Sequence, residues 1–239
     1  MLLLFDIDGT LLINAADAHA AAIHEALRVV HGVTEPQRRR MEVAGRTDAD
    51  IARNLLVHAG ISARDIDERA DDVRIAACEA YARLCPPDLS ERVAPGMDEL
   101  VARLAERDDA LLALVTGNYE PIARMKLRAA GIGHHFARGQ GGFGSDNEDR
   151  AMLPQIARRR AGDPDGRADG EWPRSRTVVI GDTPRDIACA RADGVYVIAI
   201  ATGPYSAEQL VEADAVARDA SELGALLDRW LAERTTLRA

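Results

Sequence analysis

Leu2-Leu3-Leu4-Phe5-Asp6-Ile7-Asp8-Gly9-Thr10 is the stretch that decides the fold. Four apolar residues in an unbroken run read as a short strand covered on both faces, as in a parallel sheet. The run stops at two acids one residue apart. Ionised carboxylates repel one another, and removing them from water costs about several kcal/mol unless they are paired or bound to a cation. A buried strand that ends in such a pair therefore calls for a partner.

Working outward, similar apolar runs recur at Leu111–Asn118 (LLALVTGN), Thr177–Thr183 (TVVIGDT) and Val195–Gly203 (VYVIAIATG), with a weaker one at Asp214–Arg218. Helical stripes lie between them, for example Met97, Leu100, Val101 and Leu104, then Ile122, Met125 and Ala129. This alternation predicts an α/β fold, a Rossmann-like doubly wound parallel sheet. From Asp17 to Leu84 the pattern is helical only. Its stripes are Ile23, Ala26, Leu27 and Val30, then Ile51, Leu55, Leu56 and Ala59, then Val73, Ala76, Ala77, Ala80 and Leu84. The chain thus divides into an α/β core of residues 1–14 and 92–239 and an all-helical insertion of residues 15–91. Two connections of this kind permit hinge motion. The Gly-, Pro- and Asp-rich stretch Ala161–Ser175 reads as a surface loop.

Of the 239 residues, 47% are hydrophobic and only 4% aromatic, so aliphatic side chains and Ala must fill the core. The formal net charge of -9 argues against a nucleic-acid or anionic-membrane partner, which would need a basic face. A small anionic ligand stays compatible, because a local pocket can be positive on an acidic protein. Cys78, Cys85 and Cys189 match neither a zinc site nor a disulfide framework and read as free thiols of a reducing compartment. The MLLLF start lacks the basic region of a signal peptide, and no stretch approaches the roughly 18 apolar residues of a membrane span. A cytoplasmic location is expected.

Ligands of doubly wound sheets bind beyond the carboxyl ends of the strands. Those ends carry Asp6 and Asp8, then Thr116-Gly117-Asn118, then Gly181-Asp182-Thr183 with Asp186 shortly after. Asp6, Asp8 and Asp182 converging at one sheet edge require a hard cation with oxygen ligands. Mg²⁺ suits them, since it takes few carboxylates together with waters and substrate phosphate oxygens. Gly9 fits a tight turn.

DIDGT, LVTGN and GDTPRD, in this order, resemble the haloacid dehalogenase superfamily of phosphatases, and the helical insertion resembles its C1-type cap. Within that superfamily the chain resembles phosphoglycolate-phosphatase-like members, whose caps often carry a stretch like GRTD (Gly45 to Asp48). The resemblance implies a phosphomonoester hydrolase for a small phosphorylated metabolite. Asp6 would be the nucleophile that becomes an aspartyl phosphate, and Asp8 the general acid and base. Thr116, with Gly117 and Asn118, would hold the phosphoryl oxygens. Asp6, Asp182 and the carbonyl of Asp8 would bind Mg²⁺, with Asp186 behind them.

The superfamily also places a Lys or Arg beside the nucleophile. Here that place reads GSDNEDRAMLP, with Arg150 and no Lys. The other candidate is Lys126, the only lysine in the chain, and its retention favours it. Arg46 and Thr47 are either substrate contacts of a cap loop or part of a helix N-cap, with Thr47 or Asp48 as the capping residue. His134 and His135 read as loop residues after a helix end, and Asn14 as a turn residue. Asp8 argues against a dehalogenase, which needs no such acid. A phosphonatase needs a cap lysine, which this chain lacks. A sugar phosphomutase and a non-catalytic phosphate-binding module remain as alternatives, and the oligomeric state is left open.

Overall fold

The computed structural model describes residues 1–34, 42–163 and 170–236, with side chains described to 234. Its sheet holds β1 (Leu2–Phe5), β2 (Leu111–Thr116), β3 (Gly142–Phe143), β4 (Thr177–Gly181), β5 (Tyr196–Ile200) and β6 (Ala215–Ala217). The order is β3-β2-β1-β4-β5-β6, and every pairing is parallel. The chain builds outward from β1 on one side and then returns to build outward from β4 on the other. The switch of direction therefore falls between β1 and β4, where such sheets open a crevice for ligands.

The unbroken apolar runs follow from burial on both faces. Leu3, Phe5, Leu112, Leu114, Val178 and Ile180 face one core, filled by Met97 and Leu104 of α5 (Met97–Ala105) and by Leu223 and Leu227 of α9 (Ala220–Thr236). Leu2, Leu4, Ala113, Val115 and Val179 face the other, with Leu153 of α7 (Leu153–Ala161) and Ile187 of α8 (Pro184–Asp193). Successive side chains of a strand point to opposite faces, so one Leu-rich segment feeds two cores.

The segment after β1 is helical: α1 (Asp17–His31), α2 (Asp48–His58), α3 (Ala63–Glu68) and α4 (Ala70–Leu84). These helices enclose a third core of Ile23, Leu27, Leu56, Val73 and Tyr81, closed from below by Tyr119 and Ile122. Ile122 belongs to α6 (Glu120–Ala129), whose Ala123 and Leu127 pack toward the sheet. So α6 lies between the sheet and the helical layer. The two connections to that layer run side by side, with Ile13 N donating to Arg92 O (2.8 Å) and Ala94 N to Leu11 O (2.9 Å). Asn14, the turn residue beside them, has φ 53°.

Two elements escaped the sequence pattern. β3 is two residues long, and α3 is a six-residue helix with only Ile66 buried. Neither is long enough to show a period. The expected loop at Ala161–Ser175 includes residues 164–169, which lie outside the described residues.

Candidate active site

The register of the central strands brings the chemistry together. Phe5 pairs with Leu114 of β2 and with Ile180 of β4, so Asp6, Thr116 and Asp182 emerge at one edge. Asp6 is anchored by its own N–H, which donates to Ile180 O (2.9 Å). Beyond it the chain turns back through Gly9, whose φ is 90° and whose N–H donates to Leu12 O (2.7 Å).

Asp182 sits in a cradle made of two glycines. A Cβ on Gly9 would lie 2.1 Å from Asp182 Oδ2, and one on Gly203 would lie 1.7 Å from it. Thr10 Oγ1 donates to Asp182 Oδ1 (3.2 Å), whereas the buried Oδ2 has no hydrogen-bond partner. Asp186 is fixed by a capping box at the start of α8. Thr183 accepts from the Asp186 N–H, while Asp186 Oδ2 accepts from Thr183 N (3.0 Å) and Oγ1 (2.7 Å). That box explains the TPRD sequence: an N-cap hydroxyl, a proline in the first turn and an acid at the third position.

Asp6, Asp182 and Asp186 each offer a carboxylate oxygen within 4.8 Å of the others. Burial pushes the Asp6 carboxyl up to about 6, against the pull of Arg150 and helped by the charges of Asp186 and Asp8. Burial, with Asp186 and Asp6 nearby, pushes Asp182 up to about 8. Three crowded carboxylates, one with a buried oxygen that no protein group contacts by a hydrogen bond, are what a hard, oxygen-seeking divalent cation relieves. The donor set fits such an ion.

The two candidate basic residues go to different acids. Arg150, buried just before α7, places Nη2 3.3 Å from Asp6 Oδ1, donates to Asp186 Oδ1, and donates from Nη1 to Gly45 O (3.1 Å). Burial opposes its charge, but Asp186 and Asp6 outweigh that and keep it protonated. Lys126 lies four residues after Ile122 on the face of α6 turned to the helical layer, and it is fully buried. Its Nζ donates to Asp8 Oδ1 (2.8 Å) and Oδ2 (2.7 Å), and Asn118 Nδ2 donates to Asp8 Oδ2 (2.9 Å). Burial would raise the Asp8 carboxyl, but the charge and hydrogen bonds of Lys126 outweigh it and hold it below the usual range. The cation beside Asp6 is thus Arg150, and the retained lysine serves Asp8.

The other expected residues are placed as follows. Thr116 ends β2 fully buried, its Oγ1 accepting weakly from Asn118 N (3.4 Å). Gly117 accepts from Asp48 N (2.8 Å) and lies so close to the segment before α2 that a Cβ would meet Arg46 O at 2.0 Å. Thr47 is the N-cap of α2, accepting from Asp50 N (3.2 Å) and donating to Glu148 O (2.7 Å). Arg46 pairs with Asp50 (2.5 Å) and lines a cleft of about 530 Å³ with Arg150 and Arg185. His134 and His135 lie on a 3-10 turn after α6, ring against ring.

Sequence reasoning missed His19, Asp48 as more than a cap candidate, Thr10 and Gly203. His19 and Asp48 are buried polar residues on α1 and α2. Their signal was present, a His and an Asp on helix faces that also carry buried apolar residues, but it named no partner.

Fold and site together define an α/β enzyme that gathers acids at the carboxyl edge of its sheet. The chain matches the haloacid dehalogenase-like hydrolase family over residues 3–191 and belongs to it, as an enzyme of its phosphatase type. Among curated proteins it is similar to a phosphoglycolate phosphatase of Mesorhizobium japonicum, 29% identical over 213 residues, covering 84% of this chain and 83% of that one. Among solved structures it is similar in fold to β-phosphoglucomutase from Clostridium difficile (TM-score 0.67, 14% identity, 98% of each chain). It is also similar in fold to CbbY from Rhodobacter sphaeroides in complex with phosphate (TM-score 0.66, 20% identity, 93% of this chain and 96% of that one). No helix among the described residues is long and apolar enough to cross a membrane.

Proposed function

We propose that the protein is a Mg²⁺-dependent phosphomonoester hydrolase of the cytoplasm that acts on a small phosphorylated metabolite through an aspartyl phosphate on Asp6. The observation that carries this reading is the division of labour between two acids one residue apart. Asp6 lies in the carboxylate cluster beside Arg150, and the Asp8 carboxylate is turned away from it onto Lys126 and Asn118.

Asp6 attacks phosphorus, the bond to the leaving oxygen breaks, and that oxygen takes a proton from Asp8. Water then attacks the aspartyl phosphate, giving its proton to Asp8 and releasing phosphate. Asp6, Asp182 and the Asp8 carbonyl, with Asp186 behind them, would hold Mg²⁺, which when bound would neutralise charge on the phosphoryl oxygens. Arg150 shields Asp6 from its acidic neighbours. Thr116 and the N–H groups of Gly117 and Asn118 orient the phosphoryl group. In the free site Lys126 keeps Asp8 ionised, the form that activates water. An entering phosphate dianion pulls the other way, because a nearby negative charge raises a carboxyl. The helical layer formed by α1, α2, α3 and α4 acts as a cap that excludes bulk water and limits substrate size.

The test is a panel of phosphate esters assayed with Mg²⁺ and with EDTA, phosphoglycolate included because a similar protein bears that name. Release of inorganic phosphate that EDTA abolishes supports hydrolysis. Transfer of phosphate to a second hydroxyl of the substrate would instead support the mutase alternative.

A further inference from the structure

Lys126 has three ammonium hydrogens and no water to give them to, being fully buried. Two go to the Asp8 carboxylate. The remaining partner is His19 Nδ1, 3.0 Å away. An ammonium has only hydrogens to offer, so Nδ1 must be the unprotonated, accepting nitrogen. The ring proton then sits on Nε2, which donates to Asp48 Oδ2 (3.0 Å). The same Asp48 oxygen accepts from Tyr119 N (2.7 Å), at the start of α6. His19 is further held edge-on to the Tyr81 ring, with centroids 5.8 Å apart.

The four side chains therefore form one directed series. Asp48 of α2 fixes which nitrogen of His19 carries the proton. His19 of α1 fixes the ammonium of Lys126. Lys126 of α6 fixes both oxygens of Asp8. Two members come from the helical layer and two from the sheet domain.

We infer that His19 and Asp48 are positioning residues for the proton carrier: acting through Lys126, they hold the Asp8 carboxyl in the orientation from which it protonates the leaving oxygen. This rests on the reading of Asp8 as general acid given above. It extends that reading to two residues that touch neither the reacting atoms nor the carboxylate cluster.

A positioning role differs from a purely structural one in its dependence on the leaving group. Phenyl phosphate and p-nitrophenyl phosphate differ little in shape. The first expels a basic phenolate that needs a proton, and the second expels one stable without it. kcat/KM reports steps up to and including loss of the leaving group, so slow hydrolysis of the aspartyl phosphate does not enter it. His19→Phe keeps the ring against Tyr81 and removes both polar nitrogens. It is expected to lower kcat/KM for phenyl phosphate by about 10- to 100-fold, within the range of general acid catalysis, and for p-nitrophenyl phosphate by less than about threefold. His19→Gln offers an acceptor and a donor in the same order and is expected to regain most of the phenyl phosphate activity.

Asp8→Ala is the reference. If it shows no leaving-group contrast, the general-acid reading itself fails, and this inference with it. If it shows the contrast and His19→Phe slows both substrates equally, the inference alone is overturned. Should His19→Phe fail to fold, His19→Gln decides the matter: near-normal rates on both substrates support the series, and an equal loss on both overturns it.

Discussion

Arg150 Nη2 lies 3.3 Å from Asp6 Oδ1 and also donates to Asp186 Oδ1, so one guanidinium joins two of the three acids crowded beyond β1 and β4. A lysine ammonium at the same place would be a point charge, unable to span both acids and Gly45 O with a planar fork.

Arg150→Met should leave two buried carboxylates without their cation. Breaking such a pair costs about 3–5 kcal/mol, readable in urea unfolding. With Asp6 left unshielded from Asp186 as phosphate approaches, kcat/KM should fall by at least about 100-fold. Arg150→Lys should be intermediate in both measurements. Equal activity of the Lys variant and the native protein would show that the fork geometry is unimportant.

The metal-free protein should lose stability as pH rises. Folding lifts Asp6 from 3.8 to about 6 and Asp182 from 3.8 to about 8. A group that binds its proton more tightly when folded stabilises the fold fully below its unfolded value, and that contribution is lost as pH passes the folded one. The loss therefore runs from about pH 4 through about pH 8. A cation competes for the same oxygens, so the rise in Tm on adding MgCl₂ should grow across this window. Calorimetry at several pH values checks it, and a Tm shift that shrinks as pH rises would contradict it.

Gly203→Ala should act on the metal requirement. Its Cβ would fall 1.7 Å from Asp182 Oδ2, so the carboxylate must leave its cradle. The Mg²⁺ concentration for half-maximal activity should rise by about 10- to 100-fold, as for other residues that orient ligands. An unchanged Mg²⁺ requirement would show that Asp182 is not held there for a cation.

Gly117→Ala should displace the segment before α2, because its Cβ would meet the Arg46 carbonyl at 2.0 Å. The Asp48 N to Gly117 O bond would be lost with it. Overpacking of this kind costs about 1–3 kcal/mol, and a drop in Tm with a fall in kcat/KM is expected.

Much of this arrangement was legible in the sequence because the signals are local. Leu2–Phe5 and Thr177–Gly181 are buried throughout, and apolar but for Thr177 and Gly181, since both sheet faces are covered, and the acids follow directly on the strand ends. What could not be read was pairing across the fold. The lone lysine made Lys126 the favoured cation for the nucleophile, whereas the geometry gives Lys126 to Asp8 and sets Arg150 beside Asp6. Thr47 was legible as a cap, whereas Asp48 holding His19 and Tyr119 depends on how α2 lies over α6. Gly203 carries meaning only because Asp182 happens to face it.

The central claim is that Asp6 is the nucleophile, and Asp6→Asn tests it most directly. The variant keeps the shape of the side chain and removes its charge. Assayed with Mg²⁺ on the best ester of the panel, it should lose turnover by at least about 10⁴-fold. Acid quenching should trap phosphate on the native chain at Asp6 and none on the variant. Turnover within a few-fold of the native enzyme, or a phosphorylated residue other than Asp6, would contradict the account.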